Sequence, residues 1–331
     1  MTCALAAVYA VHGEPSQVLR IVEEPVREPA PDEIVLRMEA AAMHIADLRA
    51  IRGLPPFEKL GLPRSPGFEG IGRVAHLGSA TTQLRIGDRV FAPLGSGTFR
   101  ESLTCKAADV MPAPEGDALQ LSLLTVNAAT AYVLLEDFVT VAAGEWLIQN
   151  AANSSCGRYL ISLAQARGAQ TINVVRRDGL SEELHAIGAD IVLSDGPELA
   201  ERVARATAGA LPRLGIDAIG GAATQRLAEC LAPGGLIASY GSMSGQRCEL
   251  DFYLLFARGV RLQGVALSRQ MQQRTREEQR EIYAELAERI AGGSLAARIA
   301  AVYPLEQNIQ ACEHSARCGA QREGKVIVDL R

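Results

Sequence analysis

The sequence predicts an α/β protein of two domains, one mostly β and one built on a doubly wound parallel sheet. Three observations predict it. The chain has 331 residues, about the length of two ordinary domains. Residues 1–125 read as strands punctuated by Gly and Pro. From residue 126 onward, six short apolar runs alternate with amphipathic helical ones. A composition of 48% hydrophobic and 21% charged residues can bury real cores, which excludes a disordered chain. The net charge of −5 speaks against a general nucleic-acid surface or a polybasic membrane surface. No apolar run approaches the ~20 residues that a membrane span needs.

Taken in order, "MTCALAAVYAVHGEP" lacks a basic leader and turns polar quickly, so it reads as a first strand and not a signal peptide. "EIVLRMEAAAM", "GFEGIGRVAHLG" and "GDRVFAPLG" follow as strands, separated by breakers such as "RGLPPFEKLGLPRSPG". The second domain, 126–267, offers the strands "EWLIQNA", "AQTINVVRR", "ADIVLS", "GIDAIGG", "GGLIASYGS" and "VRLQGVALS". Between them lie the helices "GRYLISLAQARG", "LSEELHAIG", "PELAERVARATAG", "ATQRLAECLAPGG" and "LDFYLLFARG". Strands that short and apolar, joined through helices, imply right-handed crossovers and a parallel sheet covered on both faces. "TREEQREIYAELAERIAGG" is a charged amphipathic helix stopped by Gly-Gly. After it, "ARIAAVYPLE", a short helix and "GKVIVDL" are too few for a domain, so 268–331 is expected to complete the first one. Seven cysteines (Cys3, Cys105, Cys156, Cys230, Cys248, Cys312 and Cys318) are odd in number and include no CxxC pair. Reduced thiols in a cytoplasmic protein are the simplest account.

The stretch "NAANSSCGRYL" follows the first strand of the second domain and opens a helix, the place where an open α/β sheet binds a pyrophosphate. Ala151, Ala152, Ser154 and Ser155 are small, and Gly157 suits close packing of helix on strand. An ordinary turn capped by Asn153 or Ser154 fits the same residues. The next strand ends in "NVVRR", where an NAD site would place a carboxylate on the ribose. Arg176 and Arg177 stand there instead, and a guanidinium pair suits the 2′-phosphate of NADPH.

"IQNAANSSCG" with "TINVVRR", together with "NAATAY", "YGSM", "GVALS" and "GKVIV" in that order, resembles the zinc-free medium-chain dehydrogenase/reductases. The likeness is greatest to the trans-2-enoyl-CoA (2-enoyl thioester) reductases and extends to the quinone oxidoreductases. It covers nearly the whole chain and implies a GroES-like, mostly β catalytic domain with a Rossmann domain for NADPH. The resemblance places the cofactor on Asn127 and Thr130, on Asn153, Ser154, Ser155 and Cys156, and on Arg176, Arg177 and Asp178. It adds Tyr240, Gly241, Ser242 and Met243, then Val265, Ala266 and Leu267, and finally Lys325. Ser155 replaces a glycine usual in the family, so a positive φ there would strain the loop.

Zinc-dependent members of the superfamily take ligands from a cysteine, a histidine and a later cysteine. Here His44 matches the first position, Phe68 the second, and no cysteine lies near "NAATAY". His44, Asp47 and Glu69 alone make a poor zinc set, so no metal is expected. The enoyl reductases resembled here use a tyrosine in the first domain, and Pro55 sits at or beside its position. His44, where the family usually has asparagine, is the candidate replacement acid, oriented by Asp47 if the segment is helical. Arg52 and Lys59 suit an anionic substrate, and Tyr132 a packing role; solvent is another source of the proton. The expected activity is NADPH-dependent reduction of activated C=C bonds in 2-enoyl thioesters or related enones. A quinone or alkenal reductase and a non-catalytic NADPH-binding protein are the alternatives. "LIASYGSMSG" and "RLQGVALS" offer a sheet edge that a second copy could extend, so a homodimer is expected, with a small molecule as the other partner.

Overall fold

Runs of β-branched and apolar residues between Gly-Pro breakers become fifteen strands in the computed structural model, which describes residues 2–317, 319–321 and 323–331. The chain divides into two compact units, Met1–Val126 with Arg276–Arg331, and Asn127–Thr275.

The first unit begins with β1 (Cys3–Val8), β2 (Arg20–Pro25), β3 (Glu33–Ala42), β4 (Glu69–Leu77), β5 (Arg89–Phe91), β6 (Ser102–Lys106) and β7 (Met111–Pro112). β1 and β2 pair as an antiparallel ribbon. β3 is buried along almost its whole length because β4 and β6 both pair with it. Ile34, Leu36 and Met38 of this strand meet Val74, Val90, Phe99 and Leu103 in one core cluster. Full burial of side chains of this size stabilises by roughly 1.5–3 kcal/mol each. The helix Ile45–Ile51 follows β3 directly, and its Asp47 accepts the His44 backbone N–H at 2.8 Å, holding the first turn.

The second unit contributes β8 (Trp146–Gln149), β9 (Gln170–Val175), β10 (Ile191–Ser194), β11 (Leu214–Asp217), β12 (Leu236–Ser239) and β13 (Arg261–Gly264). They form one parallel sheet in the order β10-β9-β8-β11-β12-β13. The order reverses between β8 and β11, the switch point at which such sheets bind ligands. Helices Ser155–Ala166, Ser181–His185, Leu199–Ala206, Ala222–Glu229 and Phe252–Phe256 connect the strands. The interior is not purely apolar. Gln149, Thr171 and Asn173 are fully buried and tied in a row, Gln149 Nε2 donating to Asn173 Oδ1 at 2.8 Å and Asn173 Nδ2 to Thr171 Oγ1 at 2.9 Å. Such pairing removes most of the cost of burying them. The edge strand β13 is exposed at all four residues.

The chain then returns to the first unit through the helix Arg276–Ala291, β14 (Ile299–Pro304), the helix Asn308–Ala316 and β15 (Lys325–Asp329). β15 pairs antiparallel with β3, matching Ile327 to Ala42, and completes the order β14-β15-β3-β4-β5-β7. Val326 and Val328 enter the same core as β3.

Candidate active site

In the second unit, the chain leaves β8, turns at Ala151 to Ser154, and enters the helix Ser155–Ala166. Ser154 is the N-cap, its Oγ accepting the Gly157 N–H at 3.1 Å. The loop is therefore a capped turn. Its helix N-terminus presents backbone N–H groups and the positive end of a twelve-residue helix, an anion site by construction. Gly157 has no alternative: a Cβ there would lie 2.6 Å from the Ala152 carbonyl oxygen and 2.8 Å from that of Ala151. Ser155 adopts helical geometry, so the strain anticipated there does not arise. The left-handed residue of the loop is Ala151, with φ 50°, a conformation that costs a non-glycine residue about 1–2 kcal/mol.

Apart from Asn127 and Thr130, the remaining predicted cofactor residues of this unit sit at the carboxyl ends of its strands. Arg176, Arg177 and Asp178 follow β9; Arg176 is exposed and Arg177 half-buried. Asp178 accepts the Ser194 hydroxyl at 2.6 Å. Tyr240, Gly241, Ser242 and Met243 follow β12, and the Tyr240 phenol meets the Cys156 thiol and the Ser154 hydroxyl. Burial pushes that phenol well above its ordinary value, the thiol adds to the shift, and the Ser154 hydroxyl works against it. Val265 and Ala266 follow β13, and Leu267 opens the next short helix. Asn127 and Thr130 are buried, Asn127 in the turn Leu124–Ala128 and Thr130 in the helix Ala129–Glu136. Small residues, a glycine-packed helix start and two arginines past the second strand together fit NADPH.

Lys325 belongs to the first unit, where it joins a second polar cluster. His44 stands between two partners: Nε2 lies 2.6 Å from Glu69 Oε1, and Nδ1 lies 2.7 Å from Lys325 Nζ. Lys325 Nζ also donates to the Met43 carbonyl at 3.0 Å. An ammonium has no acceptor, so Nδ1 must offer its lone pair, and the ring proton belongs on Nε2, facing Glu69. Glu69 Oε2 accepts the Val126 N–H at 2.6 Å and the Thr125 hydroxyl at 3.1 Å. Asp47 does not orient the ring. Its two oxygens accept the backbone N–H groups of His44 and Gly67, each at 2.8 Å, and burial raises its pKa. Tyr283, buried edge-on against Phe91, is pushed up to about 12 by burial, with Glu69 adding to the shift.

The other first-domain candidates lie apart from this cluster's hydrogen bonds. Arg52 is paired with Glu14 at 2.9–3.1 Å, and Lys59 is exposed. Pro55 is exposed, with its carbonyl accepting from Arg49 at 2.6 Å. Phe68, at the position of the zinc histidine, packs on Phe57 with ring centroids 5.4 Å apart. In the second unit, Tyr132 lies under the Arg167 guanidinium at 5.3 Å, a packing arrangement. Among the described residues, no three His, Cys, Asp or Glu side chains stand ready to hold a metal ion. Six cysteines are free thiols, and Cys318 lies outside the described residues. Sequence reasoning grouped His44 with Asp47 and Glu69 by resemblance, gave Lys325 to the cofactor, and missed that Lys325 meets His44. The one available signal was a charge opening an apolar strand, Lys325 in "GKVIVDL".

Two family descriptions match the chain, an alcohol dehydrogenase GroES-like domain over residues 30–115 and a zinc-binding dehydrogenase over residues 156–288. The mitochondrial enoyl-[acyl-carrier-protein] reductase of Mus musculus is 33% identical over 321 residues, covering 94% of this chain and 85% of that protein. The human protein of the same name is 32% identical over 320 residues, with the same coverage. Among solved structures, an NADPH:quinone reductase from Bacillus thuringiensis superposes with a TM-score of 0.91 at 25% identity, covering 99% of each chain. A complex of Etr1p with NADP and crotonyl-CoA shares the fold, with a TM-score of 0.88 at 22% identity over 99% of this chain and 100% of that one.

Proposed function

The chain belongs to the medium-chain dehydrogenase/reductase family of enoyl and quinone reductases, and from that membership we propose that it is an NADPH-dependent reductase of 2-enoyl thioesters and related activated alkenes. The observation that carries the reading is the Ser154-capped, Gly157-packed helix start followed by Arg176 and Arg177 after β9. Ser154, Ser155 and Cys156 would hold the pyrophosphate by backbone N–H groups, and the two arginines the 2′-phosphate. NADPH, when bound, supplies hydride to an electron-poor carbon. The protein's own task is to orient the alkene, stabilise the negative charge that develops on its carbonyl oxygen, and deliver a proton.

A second reading has its own support. With Pro55 at or beside the tyrosine position, the Phe57–Phe68 ring pair of the first unit offers aromatic surface that suits a flat quinone. Zinc independence is part of the proposal: Phe68 cannot ligate, and the Asp47 oxygens are both committed to backbone. So is a homodimer through the exposed β13 edge, and so is a reducing, cytoplasmic setting, which six free thiols suit. Side-by-side NADPH oxidation with crotonyl-CoA, an enone and a benzoquinone decides between substrates. Fastest turnover of crotonyl-CoA is expected. A marked preference for benzoquinone would move the assignment to the second reading, and tight NADPH binding with no turnover of any of the three would return a non-catalytic binding protein.

A further inference from the structure

Asp217 ends β11, fully buried, beside the point where the strand order reverses. Sequence reasoning gave it no role. Its two oxygens divide a set of neutral donors between them. Oδ1 accepts the Asn150 side-chain amide at 2.6 Å and the N–H groups of Ile219 and Gly220 at 2.9 and 3.1 Å. Oδ2 accepts the Thr224 hydroxyl at 2.8 Å and the Ser239 hydroxyl at 3.4 Å. A buried carboxylate met in this way by neutral groups acts through the directions of its hydrogen bonds, not through an ion pair.

The Oδ1 side leads to both cofactor loops of this unit. Asn150 answers with its own Oδ1, which accepts the Ala218 N–H at 2.8 Å. Its backbone N–H bonds to the Ile216 carbonyl at 3.1 Å. The next residue is Ala151, whose left-handed φ of 50° persists only where its surroundings are fixed. In the other direction, the Ala218 carbonyl accepts the Met243 N–H at 3.0 Å, and the Ile219 carbonyl accepts that of Ser244 at 2.9 Å. Gly241 packs so closely here that a Cβ on it would lie 2.8 Å from the Ala218 oxygen. The Oδ2 side leads elsewhere, to the helix Ala222–Glu229 and the end of β12.

We propose that Asp217 is a positioning residue for NADPH: with Asn150 it forms a bracket across the switch point that holds the loops at 151–154 and 240–243 in place for the cofactor. The proposal rests on the reading of those loops as the NADPH site. The bracket needs an acceptor at Oδ1 and not a charge. An amide at this position keeps that acceptor and turns its NH2 group to Thr224 and Ser239, whose hydroxyls rotate to accept it.

NADPH titration followed by fluorescence, together with thermal melts, tests this on four variants. Asp217→Ala should weaken NADPH binding about tenfold, the scale of a lost buried hydrogen bond. Asp217→Asn should restore the affinity to within about threefold of the unsubstituted protein. Thr224→Val removes an Oδ2 partner alone, so it should lower the melting temperature and leave NADPH affinity in place. Asn150→Ala breaks the bracket from its other half and should repeat the affinity loss, even if Asp217→Ala fails to fold. An affinity loss in Thr224→Val as large as that of Asn150→Ala would overturn the proposal and make Asp217 a residue of general stability. Unchanged affinity in Asn150→Ala would overturn it as well. Failure of Asp217→Asn to restore binding would assign the effect to charge and remove the bracket. An unsubstituted protein that binds no NADPH would sink the cofactor reading itself, a result distinct from every variant outcome.

Discussion

At Gly157 the cofactor loop has no freedom of composition. Its missing side chain lets the helix Ser155–Ala166 approach the carbonyls of Ala151 and Ala152. Gly157→Ala forces a methyl to within 2.6 Å of a backbone oxygen, and an overpacked site of this kind costs about 1–3 kcal/mol. Thermal melts should show a loss in that range, and NADPH titration a weaker complex; a variant with unchanged melting and affinity would contradict the tight approach. Gly157 was legible because only one residue type fits a close helix–strand contact. Ser155 was misread. A glycine in related loops suggested a left-handed backbone, but the turn places that conformation four residues earlier, at Ala151, whose small side chain gives no hint of it. The partners of His44 were harder for a different reason: Glu69 came near it only by resemblance and Lys325 not at all, since they lie 25 and 281 residues away and no local periodicity reports a contact at such separations.

Elements were read most reliably where periodicity is strong. Five of the six strands of the parallel sheet and the helices between them follow from apolar runs of four to six residues and from amphipathic spacing, the exposed β13 being the exception. The first unit was harder, because strands such as β5 and β7 hold three and two residues and derive their order from pairing, not from pattern. The helix Phe252–Phe256 shows a different limit. Its sequence, "FYLLF", reads as core, yet Phe252 and Phe256 are 73% and 77% exposed and stack on each other at 5.4 Å, while Leu254 alone is buried. The same unit leaves β13 exposed along its length. Apolar surface and an open strand edge in one unit are liabilities that a second copy would cover. Phe256→Glu and Leu262→Glu are therefore expected to convert a dimer to monomers in sedimentation velocity without loss of secondary structure. A monomeric unsubstituted protein at micromolar concentration would dismiss the dimer.

For the molecule as a whole, cofactor binding and stability are one quantity. A ligand at about 100 times its dissociation constant stabilises the folded state by roughly 2.7 kcal/mol. NADPH should accordingly raise the melting temperature more than NADH at equal concentration. Arg176→Ala should erase that difference, since Arg176 stands exposed beyond β9 where the 2′-phosphate is expected. Equal shifts by both cofactors in the unsubstituted protein would remove the assignment. The division into a mostly β unit and a parallel-sheet unit was visible in the change of rhythm near residue 126. The structural division falls at Val126/Asn127 and again at Thr275/Arg276.

The pairing of β15 with β3 has a consequence for how the chain is made. All six strands of the parallel sheet lie within one uninterrupted segment, Asn127–Thr275, so that sheet has every partner it needs before the last strand is translated. The first unit does not. β3 emerges early, but its neighbour β15, with Lys325 at its head 281 residues beyond His44, emerges much later. During synthesis, at about 5–20 residues per second, His44 waits with Nδ1 unmatched and Ala40–Ala42 of β3 without their β15 partners. The nascent chain thus carries an unpaired strand end and an incomplete polar cluster at the same time, and a single late event, the docking of Lys325–Asp329, completes both.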